Sequence, residues 1–220
     1  MPAVTKDLGA TESVLDAGEI ERARRIVAAG AREQFIVGRV LLRSVVGRYL
    51  GRPAAALEFT TSERGKVSLR GESGTRLAFN VSHSGRFAIC AIATRRVGVD
   101  IEYIRTEIDV AGLSRLCFGP HERRDVTDYP AAGRLRVFYE LWTRKEAYVK
   151  ATGEGLARDL LDFEVAPIGM HRGRALRAHC VAAECDRWTF VSLPLADDYA
   201  GTLVAEGSDW GPRYWRWQPS

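Results

Sequence analysis

The 220-residue chain contains only four cysteines, and none of them forms a C-x-x-C pair. The sequence therefore gives no sign of a structural zinc site or of a secreted disulfide framework, and a reducing cytoplasm is the expected compartment. No stretch reaches the roughly 18 apolar residues of a membrane span. Residues 1–10 also lack the apolar run of a signal peptide. We therefore expect a cytoplasmic protein that does not contact a membrane.

Several common catalytic signatures are also absent, namely H-E-x-x-H, the Walker A loop, G-x-G-x-x-G and G-x-S-x-G. Hydrophobic residues make up 46% and charged residues 27%, as in globular proteins of one large or two small domains. The net charge is +4, and arginines greatly outnumber lysines. This excess predicts partners rich in phosphate or carboxylate, but it does not choose between nucleic acid, nucleotide and acidic protein.

The predicted elements run in the order helices, strands, helices, strands. Apolar spacing predicts helices over 19–29, 32–50 and 135–152, the last closed by Gly153. Short apolar runs predict strands over 57–61, 66–69, 77–81, 87–93 and 97–102, with the last two as arms of one hairpin. Further strands are expected after residue 162. This order predicts an α+β protein with two halves, residues 1–105 and 106–220.

Two carboxylates alternate in Val97-Gly98-Val99-Asp100-Ile101-Glu102. Alternate side chains of a strand share a face, so Asp100 and Glu102 should lie about 7 Å apart along it. Gly98 on the same face should leave open space beside them. Magnesium favours a few carboxylates together with water and phosphate oxygens. The hexapeptide is compatible with such a site, although by itself it fits a solvated edge strand equally well.

A second polar motif lies on the predicted helix 135–152. Glu146 and Lys150 should share one side of the helix, with Lys145 nearby. The carboxylate could bind a metal while the lysines hold phosphate oxygens. A surface helix with ordinary Glu–Lys pairs is the alternative. A third motif, at 79–85, places Ser82 and His83 in a turn that can bind phosphate, although a lone histidine is more often structural.

Taken together, these motifs carry a family resemblance. F-N-V-S-H-S-G at 79–85, V-G-V-D-I-E at 97–102 and F-Y-E-L-W-T-R-K-E-A-Y-V-K-A-T-G-E-G-L at 138–156 resemble the Sfp-type 4′-phosphopantetheinyl transferases. R-G-K-V-S-L at 64–69 resembles the G-K-P-x-L element of the family, with Val67 in place of proline. That replacement predicts a less rigid loop around Lys66. The resemblance covers roughly residues 20–206.

The resemblance implies two similar α+β subdomains related by a pseudo-twofold axis, with coenzyme A bound between them. It implies transfer of 4′-phosphopantetheine from coenzyme A to a serine of an acyl or peptidyl carrier protein, with release of adenosine 3′,5′-bisphosphate. A monomer is expected. Asp100, Glu102 and Glu146 would hold Mg²⁺.

The resemblance also assigns contacts with coenzyme A to Arg32, Lys66, Ser82, His83, Lys145 and Lys150. Arg32 and His83 are expected at the 3′-phosphate, and Lys150 at the pyrophosphate. Lys150 is also expected to act in catalysis. Either Glu122 or Glu146 would deprotonate the serine, and the sequence leaves that choice open.

Two other functions stay possible at this point. A member of the family could bind coenzyme A or the carrier without transferring anything, although all three acids and both helix lysines are present. A nucleic-acid-binding module would fit the basic pI of about 9.0. We do not expect nucleic acid as a partner, because the three carboxylates would repel its phosphates and the basic residues are scattered among acids.

Overall fold

The computed structural model describes residues 13–62, 66–71, 77–155, 158–165, 172–173 and 187–217. The helices are α1 (Ala17–Arg25), α2 (Ala29–Leu50), α3 (Val110–Cys117), α4 (Pro120–Asp128) and α5 (Arg134–Thr152). The strands are β1 (Phe59–Thr61), β2 (Val67–Leu69), β3 (Ala78–Ser84), β4 (Phe87–Ala93), β5 (Val97–Tyr103), β6 (Arg172–Gly173), β7 (Trp188–Ser192) and β8 (Tyr199–Glu206). Short 3₁₀ turns lie at Ala54–Ala56, Ala131–Gly133 and Leu160–Asp162. The predicted α+β class is confirmed.

Helices α1 and α2 are held together by a buried arginine. Arg43 on α2 is fully buried, and its guanidinium donates to Glu19 Oε2 and to Asp16 Oδ2, both at 2.6 Å. Asp16 and Glu19 also form the capping box that starts α1. A third bond, to the Leu57 carbonyl at 2.9 Å, ties the pair to the chain that leads into β1. One side chain therefore fixes three segments of the N-terminal half.

The strands form three sheets, and β5 does not pair with β4. β3 and β4 form an antiparallel hairpin, while β5 joins a separate sheet in the order β5-β8-β7-β6. The predicted hairpin of 87–93 with 97–102 is therefore wrong. The turn at 94–96 carries the chain from one sheet to the other, and β8 supplies the antiparallel partner of β5. β5 is the end strand of its sheet, but every residue from Val97 to Ile101 is buried, so the strand lies inside the protein.

The edge of β5 that faces β3 is bonded by side chains instead of a backbone ladder. Asn80 Oδ1 accepts from the Val99 N–H at 2.8 Å, Ser82 Oγ from Ile101 at 3.2 Å and Ser84 Oγ from Tyr103 at 2.9 Å. We call this row of contacts the β3–β5 seam. It joins the hairpin to the four-stranded sheet, because buried strand N–H groups need partners.

Helix α5 packs across the four-stranded sheet and builds the larger core, with Phe138, Leu141 and Tyr148 among its buried residues. It approaches β5 so closely that a Cβ at Gly98 would lie 2.1 Å from the Ala147 carbonyl oxygen. The expectation of open space at Gly98 is therefore wrong. Glycine is needed there because the helix backbone occupies that space.

The chain after β8 returns to the N-terminal helices. Trp217 packs against the small cluster formed by Leu15, Ala23, Ile36 and Val40, while Trp215 is 73% exposed. In the described residues, no helix is both long and apolar enough to cross a membrane.

Candidate active site

A cleft of about 1050 Å³ lies between the N-terminal half and α5. Ligand pockets usually measure about 300–1,000 Å³, so the cleft suits a large ligand. Six basic side chains line it: Arg22, Arg39, Lys66, His83, Lys150 and Arg158. Four acidic side chains, Asp16, Glu19, Glu146 and Asp159, also line the cleft, so basic groups are in the majority, which favours an anionic ligand.

Asp100 lies on β5 behind the cleft and is only 3% exposed. Its Oδ1 accepts from Lys150 Nζ at 2.6 Å and from Ser82 Oγ at 2.9 Å. Its Oδ2 is buried and has no hydrogen-bond partner among the described residues. Burial raises the pKa of Asp100, against the lowering effect of the Lys150 charge. An unpaired buried carboxylate oxygen is costly, which makes this atom a candidate ligand for a cation.

Glu102 and Glu146 are half-buried, and burial together with the negative charge of Asp100 raises the pKa of both. Burial raises the pKa of Glu102, and the Asp100 charge adds to this effect, while the hydrogen bond from Ser84 lowers it. Burial, then the charge of Asp100, raises the pKa of Glu146, and Glu102 contributes as well. The three carboxylates therefore repel one another when no cation lies between them.

The three acids have the chemistry of a magnesium site but not its closed geometry. Within the described ranges, no three His, Cys, Asp or Glu side chains are gathered as an ion site. The donor set nevertheless fits a hard cation, since all three ligands are oxygens and Asp100 Oδ2 is left over by the hydrogen bonds of its neighbours. Lys150 already bonds Asp100 Oδ1 and supplies part of the positive charge that the acids require.

Lys150 and Lys66 reach the cleft from opposite halves. Lys150 Nζ is held against Asp100 and lies 3.4 Å from the Val99 carbonyl. Lys66 passes over the end of α5, where a Cβ at Gly153 would lie 2.9 Å from its Cδ. Burial, followed by the charge of Arg96, lowers the pKa of Lys66. The Lys66 backbone N–H donates to Ser62 Oγ at 3.1 Å, so Lys66 is tied to the residue that follows β1.

His83 projects from β3 into the cleft. Its ring packs near Gly38 of α2, where a Cβ would lie 3.6 Å from His83 Cδ2. Burial, then the positive charge of Lys150, lowers the pKa of His83. The ring is therefore neutral near pH 7 in the unliganded protein, and a bound anion would favour its protonation.

Glu122 and Lys145 do not lie in the cleft. Both are fully buried, and Lys145 Nζ donates to Glu122 Oε2 at 2.6 Å and to the Phe163 carbonyl at 2.7 Å. Glu122 also accepts from the backbone N–H groups of Gly119 and Val165, each at 2.8 Å. This geometry does not support the expected roles in base catalysis and coenzyme A binding, because every charged atom already bonds to the chain.

Ser82 and Arg32 are also positioned differently from the expectation. Ser82 is 5% exposed and donates to Asp100 instead of pointing into the cleft. Arg32 is exposed, donates to the Ile26 carbonyl at 3.0 Å, and is not among the described residues that line the cleft. Neither position supports direct contact with a phosphate in this conformation.

Sequence analysis missed several residues of the cleft. Arg39 lines it and is paired with Glu19, while Arg22 and Arg158 come from α1 and from the segment after α5. Scattered arginines in a basic chain carry no signal of their own. Ser84, which lies outside the lining of the cleft, was detectable, because it continues the period of two set by the polar residues Asn80 and Ser82 on one face of β3.

Comparison with known proteins identifies the family. Residues 96–204 match the 4′-phosphopantetheinyl transferase superfamily, and residues 2–95 match the 4′-phosphopantetheinyl transferase N-terminal family. The 4′-phosphopantetheinyl transferase HetI of Nostoc is 34% identical over 96% of this chain and 86% of its own length. Bacillus subtilis 4′-phosphopantetheinyl transferase Sfp is 32% identical over 66% of this chain, which spans 63% of the Sfp length. A Xenopus laevis relative, L-aminoadipate-semialdehyde dehydrogenase-phosphopantetheinyl transferase, is 30% identical over 78% of this chain and 61% of its own length.

This similarity extends through all three polar motifs, and it confirms both the resemblance and the enzymatic activity expected from them: the chain belongs to the 4′-phosphopantetheinyl transferase superfamily.

Proposed function

We propose that the cleft binds coenzyme A and that Asp100, Glu102 and Glu146 hold one Mg²⁺ while 4′-phosphopantetheine is transferred to a serine of an acyl or peptidyl carrier protein. The observation that carries this proposal is the buried, unpartnered Oδ2 of Asp100, whose other oxygen bonds Lys150 in the lining of the cleft. The family membership supplies the reaction, which converts an apo carrier to its holo form.

The basic lining supports a division of the coenzyme A phosphates between the two halves. Lys150 lies beside the carboxylates and is suited to the pyrophosphate. His83 and Lys66 come from the N-terminal half and are suited to the 3′-phosphate. Charge-assisted hydrogen bonds of this kind contribute about 1.5–3 kcal/mol each.

The bound Mg²⁺ would neutralise charge that develops on the pyrophosphate oxygens. Its proposed ligands come from β5 and α5, so the close packing of these two elements at Gly98 fixes their spacing. Lys150, which bonds Asp100 Oδ1 and lines the cleft, would hold phosphate oxygens beside that ion.

The carrier serine must lose its proton as its oxygen forms a bond to the β-phosphorus of coenzyme A. The bond from that phosphorus to the bridging oxygen breaks, and adenosine 3′,5′-bisphosphate leaves. Glu146 is the base that we propose, because it lines the cleft into which the serine must enter. Glu122 is fully buried and bonded through both carboxylate oxygens, which argues against it.

The carrier class, the monomeric state and the cytoplasmic location stay predictions. Of the alternatives, the non-catalytic binding member is disfavoured because Glu146 and Lys150 line the cleft together and Glu146 senses the charges of Asp100 and Glu102. Nucleic acid is disfavoured because the same acids would repel its backbone without a cation.

The test is the intact mass of an apo carrier after incubation with enzyme, coenzyme A and magnesium. Wild type should add one phosphopantetheine group, and the reaction should stop when a chelator removes the metal. Asp100→Ala and Glu146→Ala should each lose about 100-fold or more in rate, with the double variant little worse than the slower single one. A wild-type rate in Asp100→Ala at low magnesium would contradict the proposal.

A further inference from the structure

Two serines of the β3–β5 seam each bond both a backbone N–H and a carboxylate of β5. Ser82 Oγ accepts from the Ile101 N–H and donates to Asp100 Oδ1 at 2.9 Å. Ser84 Oγ accepts from the Tyr103 N–H and donates to Glu102 Oε2 at 2.8 Å. A hydroxyl can do both, because it has one proton to donate and two lone pairs that accept. Each serine therefore accepts from the N–H of one β5 residue and donates to the carboxylate of the preceding β5 residue.

Asn80 is the natural control within the same seam. It precedes Ser82 by two residues on the same face of β3, and its Oδ1 accepts from the Val99 N–H at 2.8 Å. The residue before Val99 is Gly98, which has no carboxylate. Asn80 therefore contributes to the joining of the two sheets without contacting any of the three acids through this bond.

We infer that Ser84 is a positioning residue that holds Glu102 in the orientation needed to bind the metal, and that Ser82 does the same for Asp100. The inference rests on the proposed function, because it takes Glu102 and Asp100 as metal ligands. It makes the β3–β4 hairpin contribute to a metal site whose carboxylates all lie in β5 and α5. A carboxylate fixed by a neighbouring donor loses less side-chain freedom when it binds an ion.

Ser84 gives the cleaner test, because Ser82 also lies 3.3 Å from Lys150 Nζ. The variants are Ser84→Ala, Ser84→Thr and Asn80→Ala, with Glu102→Gln as the reference for a lost ligand. The probe is Mn²⁺ alone, titrated into the full-length protein without coenzyme A and followed by electron paramagnetic resonance. Transfer rate against magnesium concentration and thermal melts complete the set.

Ser84→Ala should weaken Mn²⁺ binding by about 10-fold or more, and high magnesium should restore much of its transfer rate. The Michaelis constant for the carrier should not change. Ser84→Thr keeps the hydroxyl and should keep the affinity. Asn80→Ala should lower the melting temperature by as much as Ser84→Ala does. It should nevertheless keep Mn²⁺ affinity within about twofold, because the Asn80 side chain bonds a backbone N–H instead of a carboxylate.

Three outcomes would overturn the inference. These are unchanged Mn²⁺ affinity in Ser84→Ala, an equal loss of affinity in Asn80→Ala, or a loss in Ser84→Thr as large as in Ser84→Ala. In each case, weaker Mn²⁺ binding by Glu102→Gln than by wild type would leave the proposed function intact. If Glu102→Gln itself binds Mn²⁺ like wild type, the proposed ligand set fails instead.

Discussion

Two ionic clusters lie on different sides of α5. We assign one to the proposed reaction and the other to the stability of the fold. The cleft cluster consists of Asp100, Glu102, Glu146 and Lys150. The sealed cluster consists of His121, Glu122, Lys145 and Glu164. In the cleft cluster a buried carboxylate oxygen, Asp100 Oδ2, has no hydrogen-bond partner among the described residues.

In the sealed cluster the charged atoms are bonded to each other or to the backbone. Glu164 is 1% exposed and accepts from the His121 backbone N–H at 2.8 Å and from His121 Nδ1 at 2.7 Å. Burial acts to raise the pKa of Glu164, but these bonds hold it below its usual value. A satisfied buried network specifies structure, whereas an unsatisfied one leaves room for a ligand.

The strongest test of the contrast is to break the sealed cluster. Lys145→Met leaves the Glu122 carboxylate buried without its counter-charge, which should destabilise the protein by about 3–5 kcal/mol. Chemical denaturation measures this loss. Transfer activity should fall only as the folded fraction falls. Adding Glu122→Gln should recover part of the stability, because the neutral amide no longer needs the lysine. A rate loss in fully folded Lys145→Met would place this residue in the reaction.

The basic side of the cleft gives a smaller effect. If His83 holds the 3′-phosphate, coenzyme A should be preferred over dephospho-coenzyme A, and His83→Ala should reduce that preference by about 10- to 150-fold. The pKa of His83 is lowered in the free protein, so the ring must gain a proton to pair with a phosphate. The preference should therefore weaken as pH rises. The same preference in wild type and variant, measured from the two Michaelis constants, would exclude His83.

The cleft cluster should respond to neutralisation in the opposite sense to the sealed one. The folded-state pKa of Glu146 is raised, so the folded protein holds this proton to higher pH than the unfolded chain does. Its contribution to the free energy of unfolding therefore falls as pH rises from about 4.3 through the raised pKa. Without metal, Glu146→Gln should be more stable than wild type at neutral pH by on the order of 1 kcal/mol, or about 2–4 °C.

The same comparison supplies its own controls. The difference between Glu146→Gln and wild type should vanish below about pH 3, where the carboxyl is protonated in both the folded and the unfolded state, and magnesium should reverse its sign by stabilising the wild type. Thermal melts with chelator and with magnesium measure both. A variant that is less stable than wild type in chelator would mean that Glu146 is paired as fully as the sealed cluster is.

The smallest expected effect concerns charges outside both clusters. The protein carries a net charge of +4, so a carrier with an acidic surface should be attracted to it. Screening acts over roughly 8–10 Å at ordinary ionic strength, so salt should raise the Michaelis constant for the carrier by a few-fold. The constant for coenzyme A, which binds in the cleft, should change less. Equal changes in both constants would indicate apolar docking of the carrier.

The contrast between the clusters also shows where sequence reasoning succeeds. Asp100, Glu102 and Glu146 were assigned together because their motifs resemble those of the family, and their role as metal ligands stays a prediction. Lys145 and Glu146 are adjacent in the same motif and were assigned to one site. Successive residues of a helix point about 100° apart, so Lys145 turns to the sealed cluster while Glu146 turns to the cleft.

The remaining differences depend on tertiary contacts. The partner of β5 was predicted wrongly because a short turn after β4 resembles a hairpin, and the true partner, β8, lies about 100 residues later in the chain. The close contact between Gly98 and α5 was missed because a glycine without a side chain beside two carboxylates was interpreted as leaving open space. Only the packing of α5 shows that this glycine admits a helix backbone.

The contact of Trp217 with the first two helices has a consequence for how the chain is made. Trp217 lies 202 positions after Leu15, one of the residues it packs against. Ribosomes add about 5–20 residues per second, so the N-terminal helices wait roughly 10–40 s before this indole is synthesised. Until then the apolar cluster of these helices lacks its contact with Trp217. We therefore expect the nascent chain to expose these helices to chaperones for most of its synthesis.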